Sequence, residues 1–504
     1  MQMTYYLGID IGTRESKGVL IDENGQIVEM AVTSHSVEHP QAGWFSQDAD
    51  KVWWGDFCKL CKELLKKSKI PSQNIGCVGF SALGCDCVPV DRNGKAMYDA
   101  ILYGIDSRAE QEIQWALDTY GEYATQVFGH MPCSSDVAPK IMWFRNHHKD
   151  IWEKAYKFVT ASTYLCGRLT GNYVLDPYLA EDFLPLYDLK SGKISETGCL
   201  HFCRADQMAE LLPATEVAGT VTEEASAETG LVPGTKVLTG TGDSGAEAIS
   251  SGLCLPGDVM IQLGSTAYII YLSDHMIQEP RLWPGTFIIP GTYGICAGTN
   301  TAGALTQWMK EQWYKDAEEK NAFAKMAQEA ERVPAGSEGL LCLPYFAGER
   351  TPLNDPNARG CFFGLESRHT RGHMVRAGLE GICYTIRANI ELMKAHGMPI
   401  KRVFAVGGGT KNPVWMQCLA DVLECEVSVP RISVGAAYGD ALMAALSGGD
   451  IPNWEALSEK VQMSKCYLPQ KENFAIYRKQ GILFDSIYYQ TKEIMHQLAQ
   501  NDEK

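Results

Sequence analysis

The stretch Lys236–Ile249, KVLTGTGDSGAEAI, constrains the fold more than any other. An apolar run, Val237 and Leu238, enters a glycine-rich turn, and Ala246-Glu247-Ala248-Ile249 begins a helical pattern. Strand, glycine turn and helix together present backbone N–H groups to phosphate. This turn also carries an acid, Asp243. Related turns recur along the chain. TYYLGID ends at Asp10 and runs into Ile11-Gly12-Thr13, and GVLIDENGQIVEM then reads as a hairpin around Glu23-Asn24-Gly25. DVMIQLGSTAYIIYLSD repeats strand, turn, strand, with Gly264-Ser265-Thr266 at its centre. KRVFAVGGGTKNPVWMQCLADVLE offers a strand, Gly407-Gly408-Gly409-Thr410 and a helix. The arrangement predicts an internal duplication: two α/β lobes, each with a phosphate-facing turn.

A chain of 504 residues is too long for one ordinary core, so two or more domains are expected. The formal net charge of −16 argues against a nucleic-acid partner, because no basic excess offsets phosphates. A local nest of backbone N–H groups can still hold an anion. The apolar runs are too short to span a bilayer, and MQMTYYLGIDIGT lacks the pattern of a signal peptide, so a cytoplasmic location is expected. The 17 cysteines are odd in number and scattered through apolar segments, which predicts free thiols. Cys58 and Cys61 form a lone C-x-x-C, but Trp53, Phe57, Leu60 and Leu64 surround them at helical spacing. That pattern favours two core cysteines over a metal or redox site.

The run Gly240-Thr241-Gly242-Asp243-Ser244-Gly245 spells G-x-G-x-x-G between a strand and a helix. A dinucleotide fold then requires an acid ending the next strand, and here that strand ends Gln262-Leu263-Gly264-Ser265. Gly242-Asp243-Ser244-Gly245 also spells a serine-protease motif, but that fold is a pair of all-β barrels rather than this α/β pattern. The P-loop signature G-x-x-x-x-G-K-[ST] does not occur.

Two isolated acids at glycine turns suit phosphoryl transfer. Asp10 reads either as a turn former or as a carboxylate orienting hydrated Mg²⁺, with Gly12 and Thr13 supplying N–H and hydroxyl contacts to phosphate. Asp243 would take a proton from a hydroxyl acceptor. Asp106-Ser107-Arg108 closes an apolar run before a helix, and Asp106 reads either as a helix cap or as a hydroxyl-recognition group.

These residues carry a resemblance. The chain resembles the FGGY carbohydrate kinases over nearly its full length, xylulokinases and their close relatives above all. The matching pieces are Gly8–Thr13, Gly43-Trp44 with Gln47-Asp48, Asp106-Ser107-Arg108, Lys140–Phe144, Gly242-Asp243, Gly264-Ser265-Thr266, Gly348–Pro352 and Gly407-Gly408-Gly409. Each is loose alone; their order and spacing are specific. The resemblance implies an actin/Hsp70-type fold of two ribonuclease H-like lobes around a cleft for ATP and sugar. The N-terminal lobe would be 1–249, binding sugar and carrying the base; the C-terminal lobe would be 258–504, binding nucleotide. It implies Asp243 as catalytic base and Asp10 as the acid near Mg²⁺. It also implies Gly12, Thr13, Gly264, Ser265 and Thr266 as phosphate-side turns, and Gly407, Gly408 and Asn412 as the adenosine site.

Xylulokinases commonly carry Met-His after the strand that here ends at Phe80-Ser81, and this loop reads Ala82-Leu83-Gly84-Cys85-Asp86. Ala82, Leu83, Asp106 and Asp243 are therefore the expected sugar contacts. The expected reaction moves the ATP γ-phosphoryl group to a ketose hydroxyl, D-xylulose first. Another ketose, a sugar acid or a polyol, or a non-catalytic sensing role, are the alternatives. ATP, Mg²⁺ and a small sugar are the expected ligands, a homodimer is allowed, and nucleic acid and membrane are not expected.

Overall fold

The computed structural model describes residues 3–315, 318, 321–432 and 434–501. Compactness divides the chain into two units that are not contiguous in sequence. The first takes in the described residues of Met1–Cys254, Thr286–Thr292 and Val434–Val461; the second takes in those of Leu255–Gly285, Tyr293–Ser433 and Gln462–Lys504.

The first unit is built on a seven-stranded mixed sheet. The Tyr5–Ile11 strand lies at its centre, parallel to Ile75–Ala82 and antiparallel to Glu15–Asp22, which pairs on to Ile27–Ser34. The hairpin forms because Asp22 to Gln26 closes a tight turn with Gly25 at φ +79°. Burial of Leu7, Ile9 and Ile11 makes this strand the middle of the core, with Trp53, Phe57, Leu60 and Phe80 packed in the same cluster. Register decides what gathers at the sheet edge. Asp10 pairs with Ser81, and Ser81 pairs in turn with Thr241, all at the carboxyl ends of parallel strands. Ligands in α/β sheets bind at that edge.

The second unit repeats the device around another seven-stranded sheet. The Asp258–Leu263 strand is parallel to Arg402–Val406 and antiparallel to Ala267–Ser273, which pairs on to Tyr293–Thr299. One parallel neighbour on one side and an antiparallel meander on the other is the same arrangement in both units. The predicted duplication is therefore present as topology.

The Ala436–Gly448 helix ties a late segment of the chain into the first unit. Its residues from Ala436 to Ala445 are buried. A Cβ on Gly8 would overlap the Ala437 carbonyl and the Ala441 nitrogen, and one on Gly79 would overlap the Asp440 carbonyl. A Cβ on Gly439 would overlap the Ala246 carbonyl of the Asp243–Ser250 helix. Backbone thus lies on backbone at three glycines. All 17 cysteines are free, and Cys61 sits in the core on the Gly55–Ser68 helix. Among the described residues no helix is long and apolar enough to cross a membrane.

Gly8→Ala should destabilise the chain by about 1–3 kcal/mol or more, because neither strand nor helix backbone can yield. Gly408→Ala, with open space around its position, should stay within about 0.5 kcal/mol of the parent. Urea midpoints of the two variants measure the contrast, and equal midpoints would refute the close-contact account.

Candidate active site

Asp243 is the first residue of the Asp243–Ser250 helix, two positions beyond Thr241 on the sheet edge. One of its oxygens, Oδ1, accepts the Ser244 N–H at 2.7 Å. The helix N-terminus favours a carboxylate there. Burial outweighs this and the Ser244 hydrogen bond, pushing the Asp243 carboxyl up to about 6. Ser244 Oγ shares a hydrogen bond of 2.8 Å with the Tyr178 hydroxyl. Glu247 stands one helical turn after Asp243, and burial, with Asp243 adding to it, raises its carboxyl to about 7.

Asp10 ends its strand as a buried acid, 8% exposed. Burial, with the neighbouring Asp243 adding to it, lifts its carboxyl to about 8, against a lowering by Lys17. Lys17 lies directly across the hairpin from Asp10 and so shares its face of the sheet. Beside Asp10, Ser81 Oγ donates to Asp440 Oδ2 at 2.7 Å and lies 3.5 Å from Asp10 Oδ1. Asp440 Oδ1 is buried without a hydrogen-bond partner among the described residues. Burial drives the Asp440 carboxyl well above the usual range, with Asp10 and Asp243 adding to it.

Buried charges require pairing or a metal. Asp10, Asp243, Glu247 and Asp440 lie near one another, Lys17 offsets Asp10 and Glu247, and Asp440 Oδ1 is left without a hydrogen-bond partner among the described residues. Mg²⁺ keeps several waters and takes one or two carboxylates rather than an all-protein cage, which suits an acid placed as Asp10 is. The residues present therefore fit that ion, with Asp10 as the group nearest to Ser81 and Asp440.

The remaining predicted residues divide between the two units. Gly12 and Thr13 form the turn after Asp10: Gly12 N–H donates to Glu15 at 3.2 Å, and Thr13 Oγ1 meets the Tyr103 hydroxyl at 3.0 Å. Ala82 and Leu83 lie in the apolar core, and the Leu83 N–H donates to the Ile11 carbonyl at 2.8 Å. That bond seats the 82–86 loop beside the end of the Asp10 strand. Asp106 is buried; its Oδ2 accepts the Phe45 N–H at 2.6 Å and pairs with Arg108 at 2.8 Å. Arg108 in turn stacks over Trp44 at 4.4 Å. The Asp106 carboxylate is thus engaged in holding the Trp44–Ser46 segment.

In the second unit, Gly264, Ser265, Gly408 and Asn412 line a cavity of about 1100 Å³, walled by Trp308, Phe323 and Trp415. Thr266 follows Ser265 in the same exposed turn. Gly407 precedes Gly408 at φ +89°, and a Cβ there would press on Leu263 backbone. The Gly303–Trp313 helix begins against this turn, with the Gly303 N–H bonding the Gly264 carbonyl at 2.9 Å. Asn412 Oδ1 caps the Pro413–Leu423 helix through Val414 and Trp415 N–H groups. A wide, partly aromatic cavity bordered by glycine turns can take a flat heterocycle and its phosphates.

Sequence reasoning missed Ser81, Glu247 and Asp440. A signal for Asp440 was present: it is the single acid in the small-residue helix GAAYGDALMAALSGG. A charge on a helix apolar all round demands a partner. Which partner depends on the packing.

Comparison with known proteins gives the family. The sequence model of the FGGY family of carbohydrate kinases, N-terminal domain, matches residues 5–250, and that of its C-terminal domain matches 259–448. The chain is 30% identical to a xylulose kinase of Lactococcus lactis, covering 99% of this chain and 100% of that protein. It is 26% identical to a gluconokinase of Bacillus subtilis over 94% of each. The crystal structure of xylulose kinase from Rhodospirillum rubrum superposes with TM-score 0.89 at 28% identity, covering 98% of this chain and 100% of that one.

Asp10 loses stability to the fold as it ionises. Its folded pKa of about 8 lies above the ordinary value of 3.8, so the folded state holds the proton more tightly and stability falls as pH rises between the two values. Asp10→Asn removes that loss. Its Tm should match the parent near pH 4 and exceed it by several degrees at pH 8. A gain that does not grow with pH would refute the buried-charge account.

Proposed function

The chain belongs to the FGGY family of carbohydrate kinases, and on that footing we propose that it phosphorylates a ketose, D-xylulose before other acceptors, at the expense of ATP. The observation that carries the reading is Asp243: a carboxylate raised to about 6, at a helix N-terminus, on the same sheet edge as a second buried acid. A base with a pKa just below neutral is mostly ionised at pH 7 yet still able to accept a proton.

In this reading the sugar is held by the first unit, on the 82–86 loop with Ala82 and Leu83 and by Asp243, while Asp106 shapes the neighbouring wall through Phe45 and Arg108. The Ser244 N–H occupies Asp243 Oδ1, which leaves Oδ2 to receive the proton of the attacking hydroxyl. As the new O–P bond forms, the bond from the γ-phosphorus to the ADP oxygen breaks, and the proton ends on Asp243. Gly12, Thr13, Gly264, Ser265 and Thr266 border the phosphates. Gly407, Gly408 and Asn412 border the adenosine in the cavity of the second unit. Asp10 would hold Mg²⁺, whose charge would offset that of the phosphates and of the leaving ADP. The protein's own part is positioning and proton removal.

Support for a ketose comes from the relatives named as xylulose kinases. The acid-rich surroundings of Asp243 also favour an uncharged acceptor over an aldonate. Asp86, whose carboxyl burial raises to about 8, lies close enough for Asp243 to add to that rise. Like charges in a buried site cost several kcal/mol of order.

ATP consumption across D-xylulose, other ketoses, aldonates and polyols tests the reading. D-Xylulose should give the highest kcat/KM; a preference for gluconate would sink the acceptor assignment, and no acceptor-dependent turnover would sink the kinase.

Asp243→Asn should lower kcat by about 10²–10⁴ with ATP binding nearly unchanged. Because only ionised Asp243 accepts a proton, parent kcat/KM should fall with unit slope as pH drops through about 6. A flat profile from pH 5 to pH 8 would rule Asp243 out as the base.

A further inference from the structure

Asp440 has no place in the roles described so far, yet its surroundings are unusually determined. It is fully buried, on a helix whose backbone touches the strand backbone beneath it. The Asp440 carbonyl occupies the space a Gly79 side chain would need, so the helix turn carrying Asp440 cannot recede. Ser81 is also fully buried, and water does not compete for its hydroxyl. That hydroxyl has one proton. It lies 2.7 Å from Asp440 Oδ2 and 3.5 Å from Asp10 Oδ1, and Asp10 pairs with Ser81 across the parallel strands. Asp440 therefore decides where the Ser81 hydroxyl points, and Ser81 is the wall against which the Asp10 carboxylate rests.

We propose that Asp440 is a positioning residue for Asp10, acting through Ser81 to fix the orientation in which Asp10 meets a divalent cation. The proposal rests on the reading of Asp10 as the metal-facing acid. Groups that orient a metal-facing carboxylate by hydrogen bonding commonly control affinity by 10–100-fold, on the order of the ligands' own partners elsewhere. The simpler role, fastening the Ala436–Gly448 helix to the sheet, would change the Tm and leave cation affinity alone.

The test uses the full chain with ADP and no sugar. Mn²⁺ binding is followed by the electron paramagnetic resonance signal of the free ion, with Asp10→Asn as the reference for loss. Ser81→Ala and Asp440→Leu should each weaken Mn²⁺ binding about 10–100-fold. Asp440→Asn keeps an oxygen that accepts from Ser81, and should recover most of the affinity. Ser81→Ala removes one oxygen only, so it carries the test if Asp440→Leu fails to fold. A folded Ser81→Ala variant that binds Mn²⁺ within twofold of the parent overturns the proposal. So does an Asp440→Asn variant as weak as Asp440→Leu, since that result would assign the effect to charge rather than to the Ser81 bond. Sugar phosphorylation by the parent is scored separately: its absence would count against the kinase reading, whereas unchanged Mn²⁺ affinity counts against the Asp440 route.

Discussion

The contact on which the first unit depends is backbone against backbone. Gly8 and Gly79 leave two neighbouring strands bare on one face, and Gly439 leaves one side of a helix bare. The Ala436–Gly448 helix settles into that gap and meets the Asp243–Ser250 helix there. Close packing of this kind is intolerant of a single added carbon. Everything at the carboxyl edge of the sheet inherits its precision. Asp10, Ser81, Asp440 and Asp243 come from four separate segments, and the glycine contacts set their spacing.

The same packing creates an electrostatic problem. Carboxylates are brought together where water cannot solvate them, and Lys17 is the cation facing Asp10 and Glu247. The fold accepts this cost. Raised carboxyl pKa values at Asp10, Glu247 and Asp243 are its direct expression. A site of this kind gains when a cation arrives and when a proton must be removed, and phosphoryl transfer to a hydroxyl asks for both.

The FGGY kinase fold, two ribonuclease H-like lobes of the actin and Hsp70 type, repeats one sheet arrangement with two different edges. In the first unit the edge carries acids. In the second it carries glycines and an aromatic-walled cavity of about 1100 Å³. Sheet topology is common to both, while the side chains at the turns differ. Fold alone would not distinguish the two edges.

By itself, the sequence determined the α/β class, the hairpin at Gly25, the strand-and-glycine turns and the isolation of Asp10 and Asp243. Each is a local property: periodicity, turn chemistry and the placing of an acid in a glycine turn are read within about a dozen residues. The order of its motifs also determined the family. Tertiary structure alone decided that residues 434–461 join the first unit, that Asp106 is bound up with Arg108 and Phe45, and that Asp440 and Ser81 stand beside Asp10. The physical reason is register and close packing. A strand pair sets Asp10 opposite Ser81, a glycine contact brings in a helix from the far end of the chain, and neither relation has any signature in the local run of residues.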